Sequence, residues 1–134
     1  MFGSLNISTS GLIAARTRMD ASSANIAGAG ALTNEKGEYA PFRRRIVTIA
    51  AGDPATGSSE GVHVSSIEQD SGALLRKYEP DSPFADADGY VGHPNVNVVT
   101  EQMNAMEAAR SYEANIMTIE ASKSMMSLAL QILA

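Results

Sequence analysis

With 134 residues and 44% apolar side chains, the chain fits one ordinary domain with enough apolar material for a core. A net charge of −5, spread along the chain with no basic face to neutralise phosphates, excludes nucleic acid as an expected partner. The absence of cysteine excludes a disulfide framework and any thiolate metal site, and an aromatic content of 5% with no Trp suits close-packed helices better than an aromatic ligand pocket.

The leading sequence MFGSLNISTSGLIAAR has neither a positively charged start nor a long apolar run, so it does not read as a secretory signal. No window reaches the roughly 18 to 20 consecutive apolar residues of a membrane span, and the chain is expected not to span a membrane. Residues 2–27 form the first helical candidate. Leu5, Leu12, Met19 and Ile26 recur every seventh residue, with the small Ser8, Ala15 and Ser22 between them. Such a seam allows a partner helix to approach closely. Gly11 costs about 1 kcal/mol relative to Ala within a helix. Gly28 and Gly30 predict a stop through a left-handed cap.

From there to residue 94 the texture changes. Gly and Pro interrupt the sequence at short intervals, which breaks long helices and favours strands and turns. Three strands are expected, Phe42–Ala50, Gly61–Gln69 and Ala73–Glu79. The last two are separated by Asp70, Ser71 and Gly72, which predicts a β-hairpin turn. Ala51–Glu60 and Pro80–Pro94 read as loops.

The final stretch, Asn95–Ala134, contains no Gly or Pro, whereas the preceding residues hold all 11 Gly and all 5 Pro. This predicts one long unbroken helix. Its apolar side chains fall at alternating spacings of four and three: Ala105, Ala109, Tyr112, Ile116, Ile119, Met126, Leu130 and Leu133, with Lys123 as the one polar position. After Met125 the apolar residues spread around the helix through Leu128 and Ile132, so this end should be buried on several sides, as in an assembly. The pairs Glu107 with Arg110, Arg110 with Glu113 and Glu120 with Lys123 have the spacing of weak helix-surface ion pairs. The fold class expected is mainly α with a small β module. The terminal helices (1–30 and 95–134) pair as a coiled coil and flank a short hairpin and loop region (31–94).

Catalytic chemistry has little to stand on. Arg43, Arg44 and Arg45 are the densest positive charge, read either as a patch for an anionic polymer or as a solvated, edge-blocking strand. Asp81, Asp86, Asp88 and Gly89 have the flavour of a calcium loop, but Phe84 and Asn95 stand where ligands are needed, so a turn rich in Asp and Gly is the better account. His63 and His93 lack ligand-spaced neighbours. No phosphate loop or nucleophile elbow is present, and no cofactor, metal or small-molecule substrate is expected. The Met-rich run from Met103 to Met126 suits either a subunit that must fit non-identical neighbours or an ordinary core.

Two stretches carry a family resemblance. SGLIAARTRMDASSANIAG, residues 10–28, is similar to the signature of bacterial flagellar rod and hook proteins, with Asn25, Ile26 and Ala27 matching its close and Gly28 departing from the usual Asn. DADGYVGHPNVNVVTEQMNAMEAARSYEANI, residues 86–116, resembles the proximal-rod members through Asp86, Gly89, Tyr90, Val91, Pro94, Asn95, Val96, Asn97, Arg110, Ser111, Tyr112, Ala114 and Asn115. The resemblance implies a non-enzymatic subunit of the flagellar basal body, exported unfolded by the flagellar type III apparatus without a cleaved signal. It implies assembly with copies of itself and other rod proteins into a hollow periplasmic shaft that transmits torque for motility. The competing expectations are a coiled-coil adaptor or export chaperone, and an enzyme acting on the cell wall.

Overall fold

The computed structural model describes residues 2–55 and 57–133, with the side chains of Phe2 and Leu133 outside the description. The elements run in the order α1 (Phe2–Gly28), β1 (Arg45–Asp53), β2 (Ser58–Gln69), β3 (Leu75–Tyr78), β4 (Tyr90–His93) and α2 (Val98–Leu133). Helix α2 starts three residues later than expected because Asn97 caps it. The Asn97 side-chain oxygen accepts the Thr100 N–H at 3.2 Å, and its carbonyl accepts the Glu101 N–H at 3.0 Å. Its 36 residues make a rod roughly 54 Å long.

The two helices pack antiparallel. Asn25 meets Glu101, Arg18 reaches Glu107 at 3.4 Å and Gly11 lies against Asn115, so each step back along α1 is a step forward along α2. α1 is the scaffold of the molecule, because both α2 and the β1–β2 hairpin pack on it. Its faces divide the work by residue size. Ser8, Ala14, Ala15, Ala21, Ser22 and Asn25 are buried, whereas Leu5, Leu12, Met19 and Ile26 are half-buried at the flanks. A surface of small side chains lets backbones approach where bulky residues would hold them apart.

Strand pairing departs from the expected hairpin. β2 pairs back with β1 in an antiparallel ribbon from Arg45 opposite Gln69 to Asp53 opposite Ser58, and β3 pairs instead with β4, from Leu75 opposite His93 to Tyr78 opposite Tyr90. Both β1 and β2 extend into the segment expected to be a loop, and β4 lies within the other. The Asp70–Gly72 turn does exist, since the Gly72 N–H donates to Asp70 Oδ1 at 2.7 Å, but it links two separate sheets. The reason lies upstream: β1 is anchored to α1 through Asn25, so the strand that follows it returns alongside it over the same helix face.

The stop of α1 also differs in mechanism. Neither Gly28 nor Gly30 is left-handed; the helix ends in tight turns, with Ala29 N–H donating to Ile26 O at 3.3 Å and Ala31 N–H to Gly28 O at 3.0 Å. Gly28 is needed for space. A β-carbon there would lie 2.4 Å from the Phe42 ring, which closes over the helix end. Gly28→Ala is therefore expected to destabilise the isolated chain by about 1–3 kcal/mol in urea unfolding, despite alanine's better helix propensity. Phe42→Ala in the same chain should make the added methyl nearly neutral.

Candidate functional site

The largest fully buried side chain among the described residues is a carboxylate. Glu101, in the first turn of α2, is 2% exposed and its neighbour Asn25, in the last turn of α1, is 1% exposed. Asn25 is used completely: its amide nitrogen donates to Arg45 O and to Glu101 Oε2, both at 2.9 Å, and its oxygen accepts the Arg45 N–H at 2.7 Å. Arg44 Nε donates to Glu101 Oε1 at 2.8 Å, with the guanidinium side still partly in water. One carboxylate and one amide thus join the end of α1, the start of β1 and the start of α2.

Burial by itself would raise the Glu101 pKa. Hydrogen bonds from Asn25 and Arg44, the Arg44 charge and a hydrogen bond from Ser22 outweigh it and hold the carboxyl below its ordinary range. Its place in the first turn of α2 adds a favourable interaction with the helix dipole. The node is structural in character: Asn25, Arg44 and Ser22 tie the carboxylate to α1 and to the start of the hairpin, and Asn104 on α2 itself adds a longer hydrogen bond to Oε1 at 3.4 Å.

A second cluster lies at the β3–β4 end. Asp86 Oδ1 accepts the N–H groups of Asp88 at 3.0 Å and Tyr90 at 2.8 Å, and Gly89 adopts φ 78° to close the turn. Arg76 donates to Asp86 Oδ2 at 2.7 Å and stacks 4.7 Å over the Tyr90 ring. The Tyr90 N–H foremost, against a smaller desolvation effect, and then Asp88 and Arg76 lower the Asp86 pKa. Tyr39 stacks on Phe84 with centroids 5.3 Å apart and donates its hydroxyl to Gly92 O at 2.8 Å, fastening the 31–40 loop to β4.

The sequence-marked residues scatter over these features. Ile26 is half-buried and Ala27 exposed beside the node, Pro94 is buried at the approach to α2, and Asn95 is exposed. Arg110 is exposed, Ser111 Oγ donates to Glu107 O at 3.1 Å, and Asn115 sits so close to Gly11 that a β-carbon there would meet it at 2.9 Å. On α2, Ala105, Tyr112, Ile119 and Met126 are half-buried, as are Ala109 and Ile116 at the flank. The deepest positions of the intervening row are Ala108 and Ser122, one residue before Ala109 and Lys123. Leu130, on the same face but beyond the level at which α1 ends, is 68% exposed, and the Leu133 side chain lies outside the described residues.

The arginine run is not one patch. Arg44 is engaged by Glu101, the Arg43 guanidinium donates to Gly72 O, and the Arg45 side chain is exposed. Glu107 bonds across to Arg18 and not along the helix to Arg110. Among the described residues no group of three or more His, Asp or Glu could hold a metal ion, and no helix is long and apolar enough to cross a membrane.

Glu101 itself had no signal in the sequence beyond an acidic residue in a helix's first turn. Removing it tests the node. Glu101→Ala should cost about 2–4 kcal/mol, less than a fully buried pair because Arg44 regains some water. Because the folded-state pKa is lowered, the stabilisation is present above the ordinary glutamate value of about 4.3 and is lost as pH falls through the folded value. Glu101→Gln should be less stable near neutral pH and lose less stability than the parent between about pH 6 and 3, read from urea midpoints.

Comparison with known proteins gives a family model at the C-terminal end and relatives along nearly the whole chain. Residues 87–132 match the family model described as flagellar basal body rod FlgEFG protein C-terminal. The flagellar basal-body rod protein FlgC of Bacillus subtilis is 36% identical, over 98% of this chain and 97% of its own. That of Borreliella burgdorferi is 38% identical over 99% and 97%. The Salmonella typhimurium FlgC is 41% identical over 90% and 89%. The node residue Asn25, the Asp86–Tyr90 turn and the capped start of α2 all lie within the Bacillus and Borreliella alignments, which run over almost the entire chain. The chain belongs to the FlgC family of flagellar basal-body rod proteins.

Proposed function

We propose that this chain is a structural subunit of the proximal rod, the periplasmic shaft that carries torque from the flagellar motor toward the hook. The observation that carries the reading is likeness to FlgC proteins along 90–99% of the chain, with both terminal helices inside the longest alignments. The shape of the molecule agrees with a part made for assembly. Among the described residues only one side of α2 is covered, by α1, while Met103, Met106, Met117, Met125 and Leu128 stand exposed along the other. Burying each such side chain against a neighbour would contribute roughly 1.5–3 kcal/mol.

In this reading the antiparallel helices act as a coiled-coil pair in the rod wall, and copies of the chain and other rod proteins supply the missing partners for the outer α2 face. Thioethers tolerate neighbours of several shapes, which suits a subunit flanked by non-identical chains. Passage through the flagellar type III apparatus would deliver the chain unfolded, and the node would form once both ends had emerged. The β1–β2 hairpin and the β3–β4 cluster would then face outward as further contact surfaces.

Met117→Asp separates folding from assembly. Met117 is 67% exposed, so the isolated chain should keep its stability within about 0.5 kcal/mol. In cells dependent on this chain, the variant should stop rod completion and swimming. Intact rods and normal swimming would overturn the reading of the outer stripe.

A further inference from the structure

Two unsatisfied apolar features of this chain sit on different surfaces and match in kind. The first is the end of α2. Because Asn25 stands beside Glu101 and Gly11 beside Asn115, Phe2 lies level with about residue 124 on α2 at one residue per 1.5 Å. From Met125 the helix continues for roughly 13 Å, and among the described residues α1 is the only element that α2 packs on. Leu130 and Ile132 there are 68% and 85% exposed, and no charged residue occurs after Lys123. The half-buried Met126 continues the row of Ile119 and Ser122, so the interface that α1 covers upstream runs on beyond its partner.

The second feature is an open groove of about 540 Å³ between the N-terminal half of α1 and β2, floored by Ile7, Ile13, Val62, Val64 and Ile67. From Gly3 to Thr17 it extends roughly 21 Å along α1, long enough for two to three helical turns. We propose that the apolar end of α2 docks into this groove on a second copy of the chain; the inference rests on the rod-subunit reading and names one contact within it.

The chain cannot satisfy itself this way. Ile13 is level with about residue 113, so Leu130 lies roughly 25 Å further along a straight helix. Donor and acceptor are different surfaces, which makes the contact head-to-tail and repeatable. Bringing Leu130 of one copy level with Ile13 of the next, itself level with residue 113, requires a stagger of roughly 25 Å along the helix axis. The continuity of the Ile119–Ser122–Met126 row favours another α1-bearing surface as the occupant, and a second copy provides one.

The chain has no cysteine, so introduced thiols are the only ones. Ile13→Cys and Leu130→Cys would be placed singly and together in cells that build rods, and isolated basal bodies oxidised and separated without reductant. The pair should yield dimers and higher multimers of this chain, each single variant should stay monomeric, and the two singles expressed together should give dimers alone. Rods that contain the chain but show no disulfide between positions 13 and 130, or that link Leu130→Cys to a chain of another mass, would overturn the docking contact and leave the rod reading standing. Absence of the chain from purified basal bodies would overturn both. Should a thiol variant block swimming, Leu130→Lys with Ile13→Glu is the second readout: each change alone should abolish swimming and the pair restore it, and failure to restore it counts against the contact.

Discussion

A single buried carboxylate holds the architecture in register. Glu101 links α2 to Asn25 at the end of α1 and to Arg44 at the start of the hairpin, and Asn25 in turn clamps the Arg45 backbone. A buried ion pair is weak evidence for net stability, because desolvation offsets much of the attraction. Its value here is geometric. Three elements otherwise joined by small side chains and a narrow apolar strip could slide by a turn; the directional bonds at the node allow one alignment.

That alignment explains the choice of residues elsewhere. With the register fixed at one end, α1 and α2 run closely enough for Gly11 to touch Asn115, and the buried positions include the small Ser8, Ala15 and Ser22 on α1 and Ala108 and Ser122 on α2. Such a seam buries little apolar area. The larger side chains stay at the edges or point outward, where they are available to other chains. A unit with a tight but thin internal interface and a broad uncovered one places much of its apolar surface outside itself.

Much of the plan was legible in the sequence. The Gly- and Pro-free terminus, the sevenfold recurrence of Leu5, Leu12, Met19 and Ile26, and the short strands between follow from periodicity and turn chemistry, and the two family stretches pointed to the rod proteins. What was not legible depends on distance and direction. The alternating spacing of four and three marked Ala109 and Lys123, whereas the close approach selects Ala108 and Ser122, because small residues register as spacers and only packing reveals them as the contact. The Asp70–Gly72 turn looked like a hairpin because local chemistry cannot tell which neighbour a strand will choose; the anchor of β1 on Asn25 decides that. Glu101 was invisible because its partners come from far away in sequence.

That distance has a temporal side. Glu101 and Asn25 are separated by 76 residues, and α1 meets its helical partner across the whole β module. Contacts of such long sequence separation form late, because the intervening chain must be ordered or looped before they contribute. A chain emerging from either end would present one bare helix face until its opposite terminus arrived. The closing of the molecule is therefore a report that the whole polypeptide is present: a truncated copy has no way to bring its two ends into register, and so lacks the shape on which a neighbour could build.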